Sequence, residues 1–155
     1  MGKTAVNNPF REDLVSRNLA EACSVVIFGA TGDLTHRKLI PALYNLAIDG
    51  ELPAGVKILG FARRDWSDEF FREGLKKLNR QFSRTGHDEE IWESLAANIE
   101  YHKSEFQDKD GYKRLSDRLD EIDRERGGKG NRLFYIASAP EYFDDILLNL
   151  KAAGL

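Results

Sequence analysis

The sequence predicts an α/β fold in which helices cover both faces of a parallel sheet. Short apolar runs alternate along the chain with stretches of helical periodicity. The first run, Val25–Phe28, ends in two nearby glycines, Gly29 and Gly32, and a polar helix start follows them. A second apolar run, Val56–Ala62, comes after that helix. This order of strand, helix and strand is typical of a parallel crossover.

The same patterns give the expected elements in chain order. Strands are expected over 24–28, 56–62, part of 98–106, and 132–137. Helices are expected over 33–48, from Ser67 onward, and over 88–97, 111–126 and 140–152. A doubly wound, Rossmann-like sheet usually has about six strands. Because only four are found, the sheet is expected to be incomplete, and a substrate or oligomerisation domain is expected to lie outside this chain.

Three helix details follow from single residues. Pro41 lies inside the first helical stretch, so the first turn there is expected to be separate or kinked. Asp49 and Gly50 are expected to end that helix. In the helix that Ser67 opens, one apolar face is expected from Phe71, Leu75, Leu78 and Phe82. Residues 1–23 are expected to form a tail with a short helix over 10–22.

Composition excludes several classes of protein. The 155 residues are 41% hydrophobic and 32% charged, as in soluble globular domains. The net charge of −3 gives no reason to expect a nucleic-acid or membrane partner. Cys23 is the single cysteine, which excludes an intramolecular disulfide and fits a reducing compartment. The expected location is the cytoplasm.

The turn after the first strand is the strongest candidate for a ligand site. Glycines let a backbone turn sharply and approach a pyrophosphate, and a helix N-terminus attracts that anion. Thr31 and Leu34 would offer backbone N–H groups there, and Asp33 is expected to cap the helix. The usual third glycine is replaced by Thr35, so an ordinary strand-to-helix turn stays an alternative. On the ligand interpretation, residues 24–155 form the N-terminal part of a dinucleotide-binding domain.

Arg63 follows the second strand, where the choice between the two nicotinamide dinucleotides is usually made. An acidic residue there suits a free ribose 2′-hydroxyl, whereas arginine suits a 2′-phosphate. Arg63 therefore favours NADP, and Arg64 could add a second cation. The alternative is a solvated surface arginine.

No other group of residues gives a strong indication of a functional site. His36, His87 and His102 lack metal-ligand spacing, and no metal site is expected. A short-chain dehydrogenase or a sugar epimerase is a further alternative. No tyrosine is followed four residues later by lysine, which argues against the catalytic pair of the short-chain class.

Three segments together resemble the glucose-6-phosphate dehydrogenase family. The segment 29–42, GATGDLTHRKLIPA, is similar to the family's nucleotide fingerprint G-A-[ST]-G-D-L-x-x-[RK]-K-L-x-P. Residues 60–63, GFAR, resemble its G-[YTF]-A-R, and residues 131–140, NRLFYIASAP, resemble its N-R-[LI]-F-Y-[LM]-[AS]-x-x-P. The three matches occur in the family's order.

The resemblance implies roles for particular residues. The pyrophosphate would be held by Gly29, Ala30, Thr31, Gly32, Asp33, Leu34, Thr35 and His36. Arg63 would grip the 2′-phosphate, and Tyr135 would lie against the cofactor. Lys38 would point toward the reacting end, near the sugar phosphate or the nicotinamide. Glu105 and Phe106 would meet the adenine.

The resemblance also implies an activity, namely NADP-dependent oxidation of glucose 6-phosphate to 6-phosphoglucono-1,5-lactone, the entry to the oxidative pentose phosphate pathway. The family's E-K-P-F-G and R-I-D-H-Y-L-G-K segments are not found here, so the base that hydride transfer needs is missing. The chain alone is expected to bind cofactor weakly without turnover and to self-associate, and the full-length protein to be a homo-oligomer. A stand-alone, non-catalytic NADP-binding module is the alternative.

Overall fold

The computed structural model describes residues 21–128 and 130–155. The predicted tail and its helix over 10–22 fall almost wholly outside these residues. Within the described part, four strands form one sheet: β1 (Cys23–Phe28), β2 (Lys57–Ala62), β3 (Ile99–Lys103) and β4 (Asn131–Ile136). Their order is β3-β2-β1-β4 and every pairing is parallel. The predicted α/β class and the four predicted strands are confirmed.

Five α-helices of the described part connect and flank the strands. They are α1 (Ile40–Ile48), α2 (Asp68–Phe82), α3 (Glu89–Ala96), α4 (Lys109–Glu125) and α5 (Phe143–Ala152). Single turns precede two of them: a π-helical turn, Thr35–Leu39, and a 3₁₀ turn, Pro140–Tyr142. Among the helices of the described part, none combines the length and the apolarity needed to cross a bilayer.

The sheet separates two apolar cores because alternate strand residues point to opposite faces. Ile27 and Ile58 pack on one face against buried residues of α1, α2 and α3, among them Tyr44. Phe28 and Phe61 pack on the other face against α4 and α5. Helices on both faces explain why β1 and β2 are nearly continuous apolar runs.

Gly60 lets α2 approach the centre of the sheet. A Cβ at this position would lie 2.7 Å from the ring of Phe71 and 2.9 Å from the Cβ of Ala30. Both neighbours are buried, so neither could move without opening a gap in the core. The glycine in this apolar strand is therefore explained by packing.

The start of the first helix follows from Pro41. Helical structure begins at Asp33, and the backbone then widens into the π-helical turn, in which Ile40 N–H donates to the carbonyl of Thr35. Proline cannot donate a backbone hydrogen bond, and its ring crowds the carbonyl four residues earlier. A wider turn before Pro41 relieves that conflict. The predicted interruption is confirmed, and its form is this π-helical turn.

The apolar face of α2 differs from the prediction. Phe71 and Leu75 are buried as expected, but Leu78 and Phe82 are only half-buried, and Asn79 is buried between them. The buried positions are spaced four residues apart, so the covered stripe turns toward Asn79 at the end of the helix. The predicted start is confirmed, because the Ser67 hydroxyl accepts a hydrogen bond from Phe70 N–H at 3.2 Å.

Candidate functional site

A cleft of about 440 Å³ lies where all four strands end. In an open parallel sheet this edge is the usual place for a ligand. The volume falls within the range of small-molecule sites. The cleft is lined by Gly29, Thr31, Gly32, Ala62, Arg63, Ser104, Glu105, Phe106, Gln107, Ala137, Ser138, Ala139 and Tyr142.

Gly29 is the first residue of the turn after β1. Its φ is +85°, a conformation that side chains other than glycine rarely adopt. A Cβ there would also lie only 2.8 Å from the carbonyl oxygen of Ala137, at the end of β4. Gly29 N–H donates to the carbonyl of Phe61 at 3.0 Å, which ties the turn to β2. The turn is thus packed against both neighbouring strands.

The helix that follows is fixed to this turn. Thr35 is fully buried, and its hydroxyl donates to the carbonyl of Gly29 at 3.2 Å. His36 N–H donates to the carbonyl of Gly32, so Gly32 accepts the first helical hydrogen bond. The helix N-terminus consequently opens beside the cleft, where its partial positive charge favours an anion.

Asp33 occupies the first turn of this helix and does not cap it as predicted. The cap position falls to Gly32, whose carbonyl accepts the first helical bond. The Asp33 carboxylate instead pairs with Arg37 at 2.6 Å on the exposed surface. Arg37 also lies over the ring of Phe82, 5.1 Å from its centroid. The aspartate is thereby directed toward a cation of its own helix.

The two arginines after β2 have different surroundings. Arg63 is exposed and lines the cleft. The guanidinium of Arg64 lies over the indole of Trp66, 5.1 Å from the ring centroid, and Arg64 is not among the described residues that line the cleft. The cation at the cleft is therefore Arg63.

The segment after β3 forms the opposite wall. Phe106 is partly buried and packs against the core of Phe28 and Phe61. Its ring stacks on Phe61 with the centroids 6.1 Å apart and is tilted against Tyr142 at 5.2 Å. Buried Ser104 donates from its hydroxyl to the carbonyl of Glu105 at 3.1 Å. Glu105 is exposed. This wall therefore offers an aromatic surface and hydrogen-bond acceptors in place of further cations.

Two partly buried histidines, His36 and His102, have a pKa below the usual value for histidine. Burial lowers the pKa of His36, and the charge of Arg64 lowers it further, whereas Asp33 opposes both effects. Burial also lowers the pKa of His102, whose Nε2 lies 2.8 Å from the carbonyl of Gly111. Across residues 21–128 and 130–155, no group of three or more His, Cys, Asp or Glu residues is arranged to hold a metal ion.

The structure brings some of the sequence-predicted residues together and leaves others apart. Gly29, Thr31, Gly32, Arg63, Glu105 and Phe106 all line the cleft. Ala30 and Thr35 are buried beneath the turn, and Asp33, Leu34 and Lys38 are exposed on the first helical turns. Tyr135 is 41% exposed on β4, beside Ile27 of β1.

Sequence reasoning missed a part of the lining. Ala62, Ser104, Gln107, Ala137, Ser138, Ala139 and Tyr142 were not predicted as site residues. All but Tyr142 lie at or within four residues of the carboxyl end of a strand, and Tyr142 lies in the 3₁₀ turn that follows β4. The common edge at which parallel strands end was the signal that could have found them.

Comparisons with known proteins identify the family to which the chain belongs. Residues 26–155 match the family model described as "Glucose-6-phosphate dehydrogenase, NAD binding domain". Over 129 residues the chain is 48% identical to glucose-6-phosphate 1-dehydrogenase of Chlamydia pneumoniae, covering 83% of this chain and 25% of that protein. Over 150 residues it is 37% identical to glucose-6-phosphate 1-dehydrogenase 2 of Mycobacterium bovis, covering 96% and 29%.

A solved structure supports the same grouping. Glucose-6-phosphate dehydrogenase in complex with its substrate glucose-6-phosphate superposes with a TM-score of 0.80 at 31% identity. The superposition covers 90% of this chain and 29% of that one. The chain thus spans between a quarter and a third of the length of these relatives.

Proposed function

Because this chain belongs to the family of glucose-6-phosphate dehydrogenase NAD-binding domains, we propose that the cleft at the carboxyl ends of its strands binds NADP. The observation that carries the proposal is one cleft that joins the Gly29–Gly32 turn to Arg63. A turn of this kind suits a pyrophosphate, and an arginine after β2 suits a 2′-phosphate. A nicotinamide dinucleotide is supported by the family, and NADP by Arg63.

The pyrophosphate lies at the Gly29–Gly32 turn in this proposal. Backbone N–H groups of Thr31 and Leu34 are the expected donors, and the first helical turn through His36 adds its partial positive charge. The imidazole of His36, whose pKa is lowered by burial, can add a hydrogen bond there. The adenosine lies between Arg63 and the wall formed by Glu105 and Phe106, where the aromatic ring supplies an apolar surface. Arg64 joins the site only by leaving Trp66.

The nicotinamide end extends past the turn toward Lys38 and Tyr135. Both side chains are on the surface, Lys38 on the first helix and Tyr135 on β4. When bound, NADP supplies the hydride acceptor. Lys38 would provide a positive charge for a substrate phosphate or the nicotinamide amide, and Tyr135 would provide a flat surface against the cofactor.

The whole protein's activity completes the proposal. We infer oxidation of D-glucose 6-phosphate to the 1,5-lactone with reduction of NADP, in a cytoplasmic homo-oligomer. Proton removal from the sugar needs a base close to the reacting carbon. We assign the role of this base to none of the described residues that line the cleft. The 155 residues by themselves are therefore expected to bind cofactor without forming NADPH from glucose 6-phosphate.

Calorimetric titration with NADP⁺ and NAD⁺ tests the cofactor assignment. The chain is expected to bind NADP⁺ more tightly than NAD⁺. Arg63→Glu replaces a charge-assisted contact with repulsion, so the Kd for NADP⁺ should rise about tenfold or more while that for NAD⁺ changes little. Arg84→Glu makes the same charge change at an exposed position outside the cleft and should leave both Kd values unchanged. Equal Kd values for the two dinucleotides in the unmutated chain would contradict the assignment.

A further inference from the structure

The segment directly after β2 is held by an aromatic cluster in which its own Trp66 packs against residues of α2 and β3. The cluster consists of Trp66, Phe70, Phe71 and Tyr101. The ring of Trp66 lies 5.1 Å from Phe70 and 5.9 Å from Tyr101 between centroids. Phe71 joins it at 5.0 Å from Tyr101 and is itself buried in the core. The cluster thus connects the exposed segment 63–66 to α2, to β3 and to the interior.

The carbonyl of Arg64 is the point at which the backbone of this segment is fixed. It accepts a hydrogen bond from the Tyr101 hydroxyl at 2.8 Å and a second from Trp66 N–H at 3.1 Å. Tyr101 is itself positioned by α2, because its backbone N–H donates to the Asp68 carboxylate at 2.6 Å. The peptide unit between Arg64 and Asp65, one residue beyond Arg63, is therefore fixed from two directions, although the side chains of Arg63 and Arg64 are exposed.

The side chain of Arg64 is also engaged by the cluster. Its guanidinium lies over the indole of Trp66, an arrangement in which the ring face attracts the cation. Arg64 is held there outside the described lining of the cleft, and Arg63 is left as the cation that faces it. The two adjacent arginines thus have different surroundings, Arg64 over Trp66 and Arg63 at the cleft.

We propose that Tyr101 is a positioning residue for NADP selectivity, which it sets by fixing the backbone next to Arg63. Arginine grips phosphate through two N–H groups in a fixed geometry, and its long side chain loses entropy when it binds. Anchoring the backbone at Arg64, the residue after Arg63, limits where the Arg63 guanidinium can lie before the ligand arrives. The hydroxyl of Tyr101 therefore contributes to binding of the 2′-phosphate and not to the rest of the dinucleotide.

This inference rests on the proposed binding of NADP at Arg63, and the experiment separates the two. Tyr101→Phe removes the hydroxyl and keeps the ring in the cluster. Calorimetry should give a Kd for NADP⁺ about three- to tenfold higher, with the Kd for NAD⁺ unchanged. The control is Tyr44→Phe, which removes a buried hydroxyl that binds the Asp88 backbone, away from the cleft. It should change neither Kd.

A double-mutant cycle tests whether Tyr101 acts through Arg63. In an Arg63→Ala background, Tyr101→Phe should cause no further change in the ratio of the Kd for NADP⁺ to the Kd for NAD⁺. Equal losses in both backgrounds, or equal losses for both dinucleotides, would overturn the positioning role. If Arg63→Ala abolishes the preference for NADP⁺ over NAD⁺ and Tyr101→Phe leaves that preference unchanged, this inference is wrong and the proposed function stands. An unmutated chain without any preference for NADP⁺ would overturn the proposed function and this inference with it.

Discussion

At the scale of single residues, Gly29 shows how one position can be constrained twice. Its positive φ lets the chain reverse after β1, and its missing side chain leaves room for the carbonyl of Ala137 at 2.8 Å from where a Cβ would lie. The first constraint is local, whereas the second comes from β4, more than a hundred residues later. Thr35 adds a hydroxyl bond to the Gly29 carbonyl, so the turn is also fixed from the helix.

Gly29→Ala should therefore weaken both stability and binding. Strain at the positive φ alone is worth about 1–3 kcal/mol, and the contact with Ala137 adds to it. We expect a lower melting temperature and a higher Kd for NADP⁺. Gly74→Ala is the matched control, because a Cβ there meets nothing within 4 Å and the residue lies inside α2. It should raise helix stability by up to about 1 kcal/mol. A Gly29→Ala variant as stable as the parent would contradict this description of the turn.

At the scale of elements, α2 buries a polar residue, Asn79, that was not part of the predicted apolar face. Asn79 is fully buried, and neither its amide nitrogen nor its amide oxygen has a hydrogen-bond partner among the residues that the structure describes. A buried polar group without a partner costs free energy because it has lost its water. The helix nonetheless packs well, since Phe71 and Leu75 on the same stripe are buried.

Asn79→Leu should raise the free energy of unfolding by about 1 kcal/mol. The substitution removes the unpaired amide and adds apolar surface of similar volume. Urea denaturation, followed by circular dichroism, measures the change. Asn149→Leu is the control, because the Asn149 amide donates to the carbonyl of Phe106 at 3.0 Å and its loss should destabilise the chain. A loss of stability in Asn79→Leu would mean that the amide has a partner, such as a bound water.

The elements also indicate what the sequence could and could not predict. Four strands and most helix boundaries followed from apolar runs, glycines and Ser67, whose side chain does cap α2. The cap that the Asp88 side chain forms on α3 was not predicted. The π-helical turn before Pro41 could not be predicted, because a proline indicates that the helix is interrupted but not what geometry the interruption takes. The burial of Asn79 depends on which helix lies opposite, and periodicity cannot give that.

For the site, the glycine turn and Arg63 could be found because each has a local signal after a strand. The placement of Arg64 could not be found, because its stack on Trp66 involves a cluster built from α2 and β3. Ser104, Gln107 and Tyr142 carry no motif and reach the cleft only through the shared edge of the sheet. The sequence therefore indicated the residues with a local motif, but not the tertiary contacts that bring the other residues to the cleft or hold Arg64 away from it.

At the scale of the whole molecule, β4 is the least covered part of the sheet. Leu133 is 50% exposed and Tyr135 is 41% exposed on one face of this strand, and within the described residues β4 pairs only with β1. An edge strand with exposed apolar side chains can pair with another chain. Leu147 and Leu148 on α5 are also exposed, at 54% and 66%.

We predict that the 155-residue chain self-associates through β4. Light scattering should give a mass that rises with protein concentration. Leu133→Lys places a charge on the edge strand and should lower that mass toward the monomer. The control is Phe70→Lys, which changes an exposed aromatic residue on α2, away from β4, and should have no such effect. A monomer at every concentration, in the parent and in both variants, would refute the prediction.

The most direct measurement is a crystal structure of the chain with NADP⁺ bound. The account predicts the pyrophosphate at the backbone of Gly29–Gly32, the 2′-phosphate on Arg63 and the adenine beside Phe106, with Tyr101 still bonded to the Arg64 carbonyl. Electron density for the dinucleotide anywhere other than the cleft at the carboxyl ends of the strands would contradict the account. So would a 2′-phosphate directed away from Arg63.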